Sequence, residues 1–369
     1  MPRRTILVLS GNGPPVFDGV GHYTSRLLAS LAISRPDWRL LWLRRKQRWF
    51  SAVLATQGNV RVIQPWHTWS KVGIFLAEQA VKYYGPDIVH VQEELYSFHE
   101  SPVTPSIMRT APHRRIVTLH ELHPGLQTSR HTVDTVSLAD LVIANDAYTA
   151  TKCERATGRR ADHVLWSPAN VLPDLTVPAV ARRPGLVVTF GMLSAVKGME
   201  QLFRALKLAR TRMPSLRWRI IGPFDPQHNA HDQRLAATIS ADWVEFTGGR
   251  HDLDDPILKR WIAEGSVMAL PFVDGATARR GSLQTAWAFG LPVVTTPPPV
   301  GGDAMVQDSV NCVTVQLSDE LGWASAVVDV LSASEVAHRL TEGSKAAGDQ
   351  MSWSQLADAH LKTYEKLLG

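Results

Sequence analysis

Short apolar runs alternate with longer amphipathic stretches along most of the chain. In the first half the runs are Thr5–Ser10, Leu40–Leu43, Val60–Ile63, Ile88–Val91, Ile116–Leu119 and Leu141–Ala144. Each is four to six residues long and apolar on both sides of the chain, as expected of strands covered on two faces. Between them lie stretches with helical spacing, such as Tyr23–Leu31 and Ser70–Tyr83. The pattern breaks at Ser167-Pro168-Ala169-Asn170 and the Pro-rich Leu172–Pro184, which reads as a linker between domains. A second series follows: Leu186–Phe190, Trp218–Ile221, Trp243–Phe246, Val267–Leu270 and Pro292–Thr295. The tail carries Leu356, His360, Leu361, Tyr364 and Leu367 at the spacing of one helix face. Strands alternating with helices predict α/β architecture with two parallel sheets. The expected domains are 1–175, joined by a terminal helix at about 351–369, and 183–350. In such sheets ligands sit beyond the carboxyl ends of the strands, so chemistry is sought in the loops that follow them.

The chain has 369 residues, long for a single core, which also favours two domains. No apolar run is long enough to span a bilayer, and Ile6–Leu9 is too short for a signal peptide and reads as a buried strand. Cys153 and Cys312 stand far apart, with neither a disulfide framework nor zinc spacing, so a reduced, cytoplasmic protein without a metal is expected. The formal charge of +5 is uneven: the first 180 residues carry a net +6. Most of that excess lies in the first fifty, where Arg44, Arg45, Lys46 and Arg48 are interleaved with Trp42, Trp49 and Phe50. Such a segment can dock on an anionic membrane, bind nucleic acid or be a solvated loop. With no nucleic-acid motif beside it, the expectation is no nucleic acid, and a possible peripheral contact with the inner membrane face.

Four loops carry candidate chemistry. After the first strand, Gly11-Asn12-Gly13 suggests a dinucleotide fingerprint, but Pro14-Pro15 stands where the helix would begin. Gly19 and Gly21 directly precede a helical pattern, where glycines allow close backbone approach and free N–H groups attract an anion. A tight turn without ligand is the equal alternative. After Ile116–Leu119 comes His120-Glu121-Leu122-His123. His120 could bond a sugar hydroxyl, act as acid or base, ligate a metal, or simply bond backbone. Lys197 precedes Gly198 at a helix start, where the macrodipole disfavours a cation unless an anion is held there. The last loop contains Asp274 and the pair Arg279-Arg280 ahead of Gly281, Ser282, Leu283 and Gln284, with Ser282 a candidate cap. Two guanidiniums at a helix N-terminus again oppose the dipole, a conflict typical of functional sites.

In order along the chain, DGVGHYTSRL, PDIVHVQ, VTLHEL, ADLVIANDAYT, the strand–KG–helix element, VEFTGG and AFGLPVVTT resemble GT-B glycosyltransferases, in particular the retaining family 4. The resemblance covers nearly the whole chain. It implies two Rossmann-like domains with a cleft between them and a crossing C-terminal helix. It also implies a nucleotide-diphosphate sugar donor held mostly by the second domain, an acceptor at the first, and metal-independent transfer with retention. Under that resemblance His120 contacts the transferred sugar, Gly19 and Gly21 face donor or acceptor, and Lys197 neutralises the diphosphate. The chain departs from the family twice. Met192 stands where an arginine is usual, and Gln284 replaces the second of two glutamates, with Ala276 at the first position and Asp274 the nearest upstream acid. Gln284 could still bond ribose and Asp274 could serve the sugar. Arg279 or Arg280 would supply the charge that Met192 lacks; the alternative is that both are exposed and Lys197 works alone. The altered acids leave a second function open, a nucleotide-sugar or glycan binder without catalysis. An epimerase or phosphorylase on the same fold is a third.

Overall fold

A computed structural model describes residues 4–16, 18–46, 58–98, 101–111, 114–122, 128–194, 197–248 and 252–369, with only the backbone of Leu95 and Tyr96. Arg48, Trp49, Phe50 and His123 lie outside the described residues. The chain forms two compact units, Met1–Ser167 with Ser352–Gly369, and Pro168–Met351.

In the first unit, β1 (Thr5–Leu9), β2 (Arg39–Leu43), β3 (Val60–Ile63), β4 (Ile88–Glu93), β5 (Arg115–Leu119), β6 (Leu141–Ala144) and β7 (His163–Val164) form one sheet in the order β3-β2-β1-β4-β5-β6-β7. Every pairing is parallel. The order reverses between β1 and β4, so the loops after these strands diverge to opposite faces and leave a crevice. The expected runs all became strands, because β-branched and leucine side chains on both faces of the sheet meet covering helices. Leu7, Leu9, Leu41, Val89, Val91, Val117 and Leu119 share one buried cluster with Ala77, Val81, Ile107 and Val136 of those helices. Two-residue β7 was not foreseen; a pair of residues carries no periodicity.

The terminal helix α13 (Trp353–Leu368) begins with a capping box in which Ser352 and Gln355 each bond the other's backbone N–H. It packs in the first unit against α1 (Gly19–Ser34), with Trp353 edge-on to Tyr23 and Tyr364 beside Trp38.

In the second unit, β8 (Leu186–Phe190), β9 (Arg217–Ile221), β10 (Val244–Phe246), β11 (Val267–Leu270), β12 (Val293–Thr295) and β13 (Val313–Thr314) form a parallel sheet ordered β10-β9-β8-β11-β12-β13. Its reversal lies between β8 and β11, the strands before Lys197 and Asp274. Trp218, Phe203, Trp323 and Val327 centre its core.

The structure corrects the reading of the basic segment. Arg44 is 1% exposed and Trp42 4%. The Arg44 guanidinium lies 4.7 Å from the Trp42 ring centroid and donates to the Pro14 carbonyl at 2.9 Å. Trp42 Nε1 donates to Ser10 Oγ at 2.8 Å. Both side chains are therefore interior, packed under the loop after β1. A Cβ on Gly13 would come within 2.6 Å of Trp42, which shows how closely the loop covers them.

Candidate active site

In the second unit the switch-point loops gather the cations. Helix α7 (Met199–Arg212) starts from Gly198, whose φ of 55° is left-handed and whose hypothetical Cβ would lie 2.4 Å from the Pro271 carbonyl. Glycine is thus required there twice over, by conformation and by space. It ties the start of α7 to the loop after β11 and places Lys197 beside Phe272, with Nζ 4.6 Å from the ring centroid. The Arg280 guanidinium lies 4.9 Å from the same ring. Phe272 is buried and holds both cations by attraction to its π face.

The arginine pair is not a solvated loop. Only 5% of the Arg279 side chain and 9% of the Arg280 side chain are exposed. Both reach Asp274, Arg279 Nη2 at 3.8 Å from Oδ2 and Arg280 in closer contact with Oδ1. One carboxylate thus meets two guanidiniums, and Lys197 stands at the same ring as Arg280. A cluster rich in cationic side chains is suited to an anion.

Helix α10 (Gly281–Ala288) begins beside this cluster, two residues earlier than a cap at Ser282 would give. Its N-cap is Arg280, with no side-chain cap bond, and Ser282 is the second helical residue. The cap expectation for Ser282 is therefore corrected. Arginine has no acceptor to offer, so the first-turn N–H groups of Gly281, Ser282 and Leu283 have no side-chain cap. The buried hydroxyls of Ser282 and Thr277 have no hydrogen-bond partner among the described residues. A Cβ on Gly191 would sit 3.9 Å from Ser282 Cβ and 4.0 Å from Lys197 Nζ, so the loop after β8 lines the same spot. Gln284 is buried and its amide donates to the Ala278 carbonyl at 2.6 Å, which leaves its oxygen as an acceptor. Met192 is 56% exposed and brings no charge.

In the first unit His120 follows β5 and is 7% exposed. Its ring meets Tyr23 edge-on at 4.6 Å, and its Nε2 lies 2.8 Å from Gln92 Oε1. Burial, with His360 nearby, lowers its pKa to about 3, so the imidazole is neutral at physiological pH. Glu93, buried beside Thr132 (Oγ1 to Oε1, 2.9 Å), is pushed up to about 7 by burial.

The glycine loop divides. Asp18 caps α1 and accepts from Gly21 N at 2.6 Å, and it also receives Asn12 Nδ2 at 2.9 Å and Ser97 Oγ at 3.0 Å. A carboxylate of the chain thus occupies the N-terminus that the sequence offered to an external anion. A Cβ on Gly21 would lie 2.7 Å from Gly13 Cα, so this glycine admits the neighbouring backbone. Gly19 faces open space.

The sequence brought forward Lys197, Asp274, Arg279, Arg280 and Ser282, which the fold gathers in one unit. It missed Phe272, Gly191 and Thr277, and in the other unit Gln92. Phe272 carried no signal beyond ordinary apolarity. Gln92 carried little more: it directly follows the apolar run Ile88–Val91, ahead of two glutamates.

Two parallel Rossmann-like sheets, with the cation-lined helix start at the switch point of the second, make up the GT-B fold. Residues 184–333 match the family described as glycosyl transferases group 1. Solved structures agree over the whole length. Anabaena Alr3699/HepE in complex with UDP and glucose is 18% identical with a TM-score of 0.76, covering 99% of this chain and 100% of its own. A glycosyltransferase from Rickettsia africae ESF-5 is 12% identical with a TM-score of 0.73, covering 100% and 99%. The pneumococcal O-GlcNAc transferase GtfA in complex with UDP and GlcNAc is 11% identical with a TM-score of 0.71, covering all of both chains. At these identities the likeness establishes the fold. No curated protein gives a match in sequence.

Proposed function

We propose that this protein transfers a hexosyl group from a nucleotide-diphosphate sugar to an acceptor hydroxyl, with retention and without a metal. The observation that carries this reading is the start of α10: three cationic side chains and an orphan Ser282 hydroxyl around a helix N-terminus with no side-chain cap. Charge developing on a departing diphosphate needs such a preorganised positive site. In this reading Lys197, Arg279 and Arg280, with the N–H groups of Gly281, Ser282 and Leu283, receive the diphosphate. Gln284 accepts from the ribose, Gly19 lies open to a ligand, and His120 faces the transferred sugar. Asp274 serves by orienting the arginines.

Calorimetry with a panel of nucleoside-diphosphate sugars tests it. Donor affinity is expected to fall in Arg279→Ala and Arg280→Ala and further in the double variant. Unchanged affinity and activity in all three would sink the clamp. The second reading, a binder without catalysis, is favoured by one observation: Asp274 is held by both arginines and Gln284 is uncharged. Donor hydrolysis or transfer that disappears in His120→Ala would decide against it.

For the acceptor, a lipid-linked molecule at an anionic membrane fits the first unit. Between Trp38 and Ala77 there are seven Lys and Arg and no acid. With Trp42 and Arg44 interior, the groups free to meet lipid are exposed Trp66, Val72 and Phe75 with Lys46 and Lys71. Sedimentation with vesicles containing phosphatidylglycerol tests this, and equal partition to neutral vesicles would remove the electrostatic argument.

A further inference from the structure

His120 sits at one end of a buried row of polar side chains that its role as a sugar contact does not account for. Gln92 Oε1 lies 2.8 Å from His120 Nε2, and Gln92 Nε2 lies 3.2 Å from His90 Nε2. His90 Nε2 is also 2.8 Å from Thr118 Oγ1, and His90 Nδ1 is 2.6 Å from the Tyr364 hydroxyl of α13. Gln92, His90, Thr118 and Tyr364 are 0% exposed, so these bonds are shielded from bulk solvent. At the His120 end Asn145 Nδ2 donates to the His120 carbonyl at 3.0 Å and faces His120 Nδ1 at 3.5 Å.

The directions of these bonds follow one from another. A carbonyl oxygen only accepts, so the group of Asn145 bonded to it is the amide NH2. That NH2 also faces His120 Nδ1, where a second N–H would be repelled; Nδ1 therefore holds the lone pair. A neutral imidazole carries one proton, which then lies on Nε2. Nε2–H donates to Gln92, which must present its oxygen there and its NH2 toward His90. An NH2 facing His90 Nε2 requires the lone pair there, which the Thr118 hydroxyl at 2.8 Å and the Gln92 NH2 at 3.2 Å share, so the His90 proton is on Nδ1 and is donated to the Tyr364 oxygen.

We propose that Gln92 is a positioning residue: bonded between two histidines, it acts with the weaker Asn145 contact to hold His120 in the Nε2–H tautomer and leaves Nδ1 as a hydrogen-bond acceptor. The C-terminal helix takes part through Tyr364, which fixes the far end of the row. That this lone pair serves a sugar hydroxyl rests on the glycosyltransferase reading; the tautomer does not. The structural alternative is that Gln92 merely fills a polar gap in β4.

Nitrogen-15 imidazole spectra of the full chain at pH 7, assigned through His120→Ala, decide the tautomer without substrate. The expected result is a protonated Nε2 and an unprotonated Nδ1 at His120. A protonated Nδ1 in the wild type overturns the proposal whatever the variants do. In Gln92→Leu, a near-isosteric change, His120 is expected to become a mixture of tautomers. Transfer is then expected to fall about tenfold in kcat with KM for the donor within twofold. Gln92→Asn, too short to reach both rings, is expected to resemble Gln92→Leu. A single unchanged tautomer in a folded Gln92→Leu overturns the positioning role. If the tautomer behaves as expected but His120→Ala keeps full transfer, the proposed role of His120 fails and the tautomer assignment stands.

Discussion

Lowering the pH from 7 to 5 is expected to weaken the first unit and leave the second almost unchanged. The first holds His90, His120 and His360 fully buried and neutral; burial lowers His120 to about 3, His360 to about 4 and His90 well below its usual value. A folded pKa below the unfolded one means that the unfolded chain binds more protons as pH falls through about 6.5. Stability is then lost on acidification until the folded pKa is reached. Between pH 7 and 5, His120 and His360 each contribute a loss of about 2 kcal/mol. Glu93 acts in the opposite sense. Its folded pKa of about 7 lies above the unfolded value, so acidification restores about 2 kcal/mol. The net is a loss of about 2 kcal/mol, to which His90 adds in the same direction. In the second unit the depressed carboxyls, such as Glu264 beside Arg219, release their contribution only below the ordinary carboxylate range. Hydrogen exchange by mass spectrometry, corrected for the intrinsic pH dependence of exchange, separates the units. Peptides from β4, β5 and α13 are expected to lose about thirtyfold in protection, while those from β8, β9 and β11 keep theirs. Equal losses in both units, or a gain in the first, would refute the reasoning. A Glu93→Gln variant is expected to be more acid-sensitive still over this range, since the opposing contribution is gone.

The two glycines before α1 are expected to part company in thermal unfolding. Gly21→Ala forces a Cβ against Gly13 backbone and costs about 1–3 kcal/mol, whereas Gly19→Ala stays within about 0.5 kcal/mol of the parent. Gly198→Ala is expected to destabilise the second unit more than either, through left-handed strain and the clash with Pro271 together; an unchanged Tm would show that the α7 start does not need this residue. Lys197→Ala is expected to weaken donor binding about tenfold by calorimetry, the scale of one charge-assisted contact, with Tm unchanged in the absence of donor.

Much of the architecture was legible along the chain. Fully buried parallel strands need continuous apolar runs, and Leu141–Ala144, Leu186–Phe190 and Val267–Leu270 appear with the bounds read from those runs, as does the partly exposed edge strand Val60–Ile63. The glycine between Lys197 and α7 marked a helix start because only glycine takes that backbone conformation cheaply. The basic segment misled because charge composition cannot say which cation is covered: Arg44 and Trp42 alternate with lysine and arginine in sequence yet pack under the Gly13 loop. Ser282 misled for a related reason. A serine ahead of an apolar helix suits a cap, but the chain turns into the helix at Arg280 and leaves the hydroxyl orphaned.

Local pattern therefore settled the strands, the helices and the residue types able to meet an anion, since these depend on neighbours a few positions away. Their company was settled by the sheet order. Parallel pairing of β8 with β11 brings Lys197 to the ring that also holds Arg280. In the first unit Tyr364 meets His90 across 274 positions of sequence. No periodicity reaches so far: side-chain spacing reports which face is buried, and only the packed fold decides which faces meet.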